Sequence, residues 1–145
     1  MSHEQYQTLP PQTREGVFLW HLFGGHVLSR RGNGGYPVIG KQGIEVIFPQ
    51  DQTCCGQPAY TSGYHDQARE VAAAQLGLFP GDYPIVLPSG SCAGMMREHY
   101  PELFADRPEE AKAKDVAGRI YELTEFLMHV CHIKLEDKGE PIKVA

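Results

Sequence analysis

A chain of 145 residues with 41% hydrophobic content is long enough to bury the core of one domain without disulfide staples. Eighteen acidic against thirteen basic residues leave a net charge of −5, and no Lys/Arg cluster stands out beyond Arg30-Arg31, so the electrostatic footprint of a DNA or RNA binder is missing. No apolar run approaches the ~18 residues of a bilayer span and Met1 to Glu15 is polar, without a signal-peptide core; a cytoplasmic chain with reduced thiols is expected.

Gly16-Val17-Phe18-Leu19-Trp20 reads as a first short strand. Beyond it, Phe23-Gly24-Gly25 and Arg30-Arg31-Gly32-Asn33-Gly34-Gly35 break both periodicities and read as loop. Order returns at Ile44, with a β-rich strand to Pro49 and a turn at Cys54-Cys55-Gly56-Gln57-Pro58. A helix is predicted from about Asp66 to Leu78, where Ala68, Val71, Ala72 and Leu76 share one face, and Phe79-Pro80-Gly81 stops it. Ile85-Val86-Leu87 is the continuous apolar run of a strand covered on both faces, and Pro88-Ser89-Gly90-Ser91 turns it into a helix near Cys92. After Asp106-Arg107-Pro108, the spacing of Val116, Ile120, Leu123, Leu127 and Val130 predicts one core-facing helix, with Glu110 and Lys114 pairing on its solvated side. Ile142-Lys143-Val144-Ala145 reads as the opening of another strand. Strands alternating with helices predict an α/β domain with a short parallel sheet covered by helices.

Adjacent side chains of an extended segment point opposite ways, so the Cys54-Cys55 step is poor core filler and points to sulfur chemistry. Parallel sheets gather ligands at the carboxyl ends of their strands, which delivers Cys54, Cys55 and Cys92 to one edge. Soft thiolates select iron–sulfur clusters or zinc, and the C-x-x-C chelate usual for zinc is absent. The expected metal ligands are therefore Cys54, Cys55 and Cys92, with Gly56 letting the backbone pass close to a bulky cofactor. Cys131, at the end of the last predicted helix, reads as filler, His65 and His99 as surface residues, and Met95-Met96 as packing.

Gln52-Thr53-Cys54-Cys55-Gly56-Gln57-Pro58-Ala59-Tyr60, Ser62-Gly63-Tyr64-His65 and Pro88-Ser89-Gly90-Ser91-Cys92-Ala93-Gly94-Met95-Met96 resemble the first cysteine-rich CCG domain of the lactate-utilization branch of a family of iron–sulfur subunits. The resemblance covers residues 43–145, the first CCG domain, and leaves 1–42 as a divergent, loop-rich segment. It implies a cluster, by family pattern [4Fe-4S], that passes electrons during oxidation of L-lactate to pyruvate, within a complex of other subunits. In that family each of two domains carries a cysteine on its opening strand, then CCG, then C-x-x-C. Here the first cysteine is missing, with His21 the nearest substitute, Ser89 stands where the C-x-x-C would begin, and the second domain is absent. A frameshifted first stretch and a truncated, incomplete version of the protein are expected on those grounds.

Two other classes compete. Gly90-Ser91-Cys92-Ala93-Gly94 satisfies G-x-C-x-G, a cysteine form of the nucleophile elbow, which predicts a hydrolase or acyl transferase using His99, His129 or His132 as base. A non-catalytic fragment or interaction module that self-associates through a bare sheet edge is the third.

Overall fold

The computed structural model describes residues 44–134, together with Ile39, Gly139 and the backbone of 17–19. Four strands, β1 (Val17–Leu19), β2 (Val46–Ile47), β3 (Ile85–Leu87) and β4 (Ile120–Glu122), form an all-parallel sheet in the order β2-β1-β3-β4. Phe18 lies in register with Ile47 on one side and Ile85 on the other, so the strand near the amino terminus is central. The order reverses at β1: the chain goes to one side for β2 and to the other for β3 and β4. Crevices at such reversals, beyond the carboxyl ends of the strands, are where α/β sheets hold ligands.

Alternation along each strand sorts the core into two layers. Ile85, Leu87 and Ile120 face one buried cluster with Ala68, Ala72, Leu76, Phe79 and Val116. Val86 and Tyr121 face the other with Ile39, Phe126 and Leu127. Helices on both faces explain why β3 is apolar at every position and wholly buried.

α1 (Gln57–Thr61) carries Pro58 in its first turn, where proline fits, and α2 (His65–Leu76) buries Ala68, Ala72 and Leu76 of the predicted stripe, with Val71 half-buried. α3 spans 90–103 in three pieces: an α-helical Gly90–Gly94, a π-helical Met95–His99 and an α-helical Tyr100–Leu103. Pro101 accounts for the π turn. It has no N–H for a carbonyl one turn back and its ring would collide there, and the widened turn closes instead through the Tyr100 N–H on the Met95 carbonyl. Met95 and Met96 are both buried, as packing residues.

The single helix expected across 116–130 is corrected here. Helix α4 (Glu110–Gly118) ends, β4 follows, and α5 begins at Leu123 as a short α-helical Leu123–Glu125 and continues as a π-helical Phe126–Val130. Steps of three and four residues put Val116, Ile120, Leu123 and Leu127 inside without requiring one continuous helix. What decides is pairing: β3 has an open side, and Ile120, Tyr121 and Glu122 lie in register with Ile85, Val86 and Leu87. Glu122 then caps α5, accepting from Thr124 and Glu125 N–H groups while Glu125 reaches back to the Glu122 N–H. The Glu110–Lys114 pair forms as expected. His21 and the strand expected at 142–145 lie outside the described residues.

Arg97, on the π turn, ties α3 to this last segment. Its guanidinium donates to the Ile120 carbonyl at 2.8 Å and to Glu125 Oε2 at 2.6 Å, with both side chains mostly shielded from solvent, at 23% and 17% exposed. Arg97→Met keeps the length and removes both bonds, leaving a half-buried carboxylate. A loss of about 2 kcal/mol in urea unfolding is expected, between the values for exposed and buried pairs; a loss under ~0.5 kcal/mol would contradict a structural role for the pair.

Candidate thiol site

The parallel arrangement carries the segments after β2 and β3 to one end of the sheet, on either side of β1. Cys55 and Cys92, 37 residues apart in sequence, meet there with their sulfurs 3.4 Å apart. Neither is accessible: Cys55 is 0% and Cys92 1% exposed. Cys54 is exposed, and its sulfur accepts the Gly56 N–H at 3.4 Å. So the structure brings two of the three predicted ligands into contact and places the third beside them on the solvent side.

Gly56 makes this loop possible. Its φ of +87° is the left-handed conformation that glycine adopts without steric cost, and a Cβ there would stand 3.1 Å from the Ala68 carbonyl oxygen of α2. The loop is clamped from both ends. On one side Gln75, 0% exposed, accepts the Thr53 N–H at 3.2 Å and donates to Thr53 Oγ1 at 2.6 Å. On the other, the Tyr100 hydroxyl donates to the Cys55 carbonyl at 3.0 Å. Sequence reasoning missed both clamps. A polar Gln75 on the buried stripe of α2 was one available signal, and Pro101 inside a helix, marking a special turn beside Tyr100, was the other.

Burial pushes the Cys55 thiol from 9.0 up to about 12; the Gln57 N–H on its sulfur pulls the other way, and the Cys92 thiol adds to the rise. Tyr100 is raised well above its ordinary value, chiefly by burial and then by the charges that Cys55, Cys54 and Cys92 would carry, so all three thiols lie within electrostatic reach of one phenol. Among the described residues, no three His, Cys, Asp or Glu side chains are arranged to hold one metal ion. The donor set still suits a soft metal: two buried sulfurs in contact, a third one residue away, and the backbone N–H of Gly56 already aimed at sulfur, the kind of bond that supports thiolate ligands. A cluster of this kind is ordinarily held by four thiolates. Cys54 would have to turn from the Gly56 N–H to join the other two.

The elbow geometry is not formed. Cys92 is the third residue of α3 rather than the turn residue between strand and helix, and its buried sulfur faces another thiol. His99 stacks on Tyr60 at 4.4 Å and bonds Glu102 at 3.1 Å, and Tyr60 donates to the same Glu102 oxygen, so this exposed group joins α1 to α3. His129 and His132 belong to the α5 region, which packs on the opposite sheet face from Cys92. Cys131 packs there too, as filler.

With that geometry in place, the comparisons are specific. Residues 35–97 match the cysteine-rich domain called CCG. It is 47% identical over 113 residues to Lactate utilization protein A of Shouchella clausii, covering 72% of this chain and 46% of that protein. Lactate utilization protein A of Geobacillus kaustophilus is 48% identical over 103 residues, 70% of this chain and 42% of the relative. Lactate utilization protein A 2 of Bacillus cereus strain Q1 is 44% identical over 104 residues, 66% and 43%. The chain thus spans less than half the length of these relatives, and no solved structure matches it. No helix among the described residues is long and apolar enough to cross a membrane.

Two outcomes follow from the loop. Gly56→Ala meets both a left-handed backbone and a fixed carbonyl, and about 2 kcal/mol of stability should be lost in urea unfolding; an unchanged midpoint would mean that the loop relaxes freely. The unfolded Cys55 thiol ionises near 9.0 while the folded one stays neutral to about 12, so unfolding releases a proton in that window and stability falls as pH rises through it. In chelator-treated protein, denaturation midpoints measured from pH 8.5 to 11 should fall more steeply for the parent than for Cys55→Ala; equal slopes would contradict the buried thiol.

Proposed function

We propose that this chain is an iron–sulfur electron-transfer domain serving lactate utilization, working with other subunits of an L-lactate oxidation complex. The observation that carries the reading is the contact between Cys55 and Cys92, two buried sulfurs brought together from distant segments at the carboxyl end of a parallel sheet. The lactate part of the reading is supported by the relatives' names, Lactate utilization protein A.

Cys54, Cys55 and Cys92 would hold the iron, the last two from inside the core and Cys54 from the solvent side. When bound, a cluster, of [4Fe-4S] type in this reading, would supply one-electron transfer for the oxidation of L-lactate to pyruvate. The chain's own residues supply the surroundings. The Gly56 N–H donates to Cys54 sulfur, which stabilises thiolate and raises the potential of whatever it binds. Leu87, Met96 and Tyr100, all fully buried, belong to the same apolar cluster as Cys55 and Cys92 and keep water from the inner sulfurs. Acid–base chemistry on lactate is not assigned to this chain.

Anaerobic purification with iron and sulfide assays and a visible spectrum tests the reading. A brown protein is expected, losing most of its iron in Cys55→Ser or Cys92→Ser and part of it in Cys54→Ser. A colourless protein without iron after reconstitution would overturn the proposal and leave the non-catalytic reading standing.

A further inference from the structure

Cys92 and Tyr100 lie on one helix, eight positions apart, and in a regular α-helix they would not share a face. Eight residues turn through about 800°, leaving the two positions ~80° apart, whereas the extra residue absorbed by a π turn gives them the phase of a seven-residue step, about 20° apart. The π turn at Met95–His99 lies between them. Its consequence is visible at both positions: Cys92 meets Cys55 sulfur to sulfur, and Tyr100 meets the carbonyl of that same Cys55 at 3.0 Å.

We infer that Tyr100 is a positioning residue for the thiol site, swung onto the face of Cys92 by the π turn so that its hydroxyl pins the Cys55 carbonyl and holds the Cys55 and Cys92 sulfurs together. The inference deepens the thiolate-site reading and rests on it. Packing alone would need the ring only, and Tyr100 is wholly buried with Phe104 against it, edge to face. The hydroxyl has a separate task. The Cys55 carbonyl directly precedes Gly56, whose left-handed backbone sets the direction of the loop, so fixing that carbonyl fixes the peptide plane between the cysteine and the glycine. Without the hydroxyl a buried acceptor loses its partner, and a local opening that exposes both sulfurs becomes easier.

Tyr100→Phe, which keeps the ring, is the test. Chelator-treated, reduced parent and variant are labelled with iodoacetamide under native conditions, and the rate at each cysteine is read by mass spectrometry, with fragmentation separating Cys54 from Cys55. Cys55 and Cys92 should label about tenfold faster in the variant, with Cys131, in the opposite core layer, unchanged. Equal rates in parent and variant would overturn the inference. So would a uniform acceleration that includes Cys131, since that marks general loosening and a merely structural tyrosine. If Tyr100→Phe folds poorly, Tyr100→Leu, which retains an apolar filler, is held to the same selective pattern. Iron content of the untreated parent separates the two readings: its absence sinks the electron-transfer proposal, while the labelling pattern decides the role of Tyr100 by itself.

Discussion

The contact between the Cys55 and Cys92 sulfurs constrains everything around it. Both thiols sit in the core at 3.4 Å, and two negative charges at that separation repel by about 5 kcal/mol even at an effective dielectric of 20. Ionising both sulfurs therefore calls for a cation between or beside them, and burial already pushes the Cys55 thiol up to about 12.

Parallel strand direction is what delivers the sulfurs, and the loop backbone is what aims them. β2 and β3 flank β1, and the turns that leave them run in the same direction off the same end of the sheet. From there, small devices act in sequence. Gln75 anchors Thr53, Gly56 reverses the backbone against α2, and Tyr100 holds the carbonyl between them. Each comes from a different helix or turn, so the geometry at Cys55 depends on α2 and α3 both being packed. On the far side, Arg97 ties the π turn of α3 to β4 and α5, linking the helix that carries Cys92 to the outer strand of the sheet.

Much of this was legible in the residues. Ile85-Val86-Leu87 announced a doubly covered strand, the Ala68, Ala72 and Leu76 stripe announced α2, and the cysteines followed strands closely enough to place them at one sheet edge. β4 was not legible, because the three-and-four spacing from Val116 to Val130 satisfies a helix as well as it satisfies a helix, a strand and a second helix in succession. Only the open side of β3 decides between them, and that is a tertiary fact. Tyr100 was hidden for a similar reason: helical phase counted at 3.6 residues per turn puts it on the wrong face, and the π turn that corrects the phase is created by Pro101 together with packing. Gln75 could have been questioned from its place on an apolar stripe, though nothing in the sequence names Thr53 as its partner.

The sulfur contact itself can be measured without reference to iron. Mild oxidation of chelator-treated protein with a small-molecule disulfide, followed by peptide mapping under non-reducing conditions, reads which cysteines lie within bonding reach. The account predicts a Cys55–Cys92 cross-link as the dominant product. A map dominated by Cys54–Cys55, or by pairs involving Cys131, with Cys55 and Cys92 never joined, would contradict it.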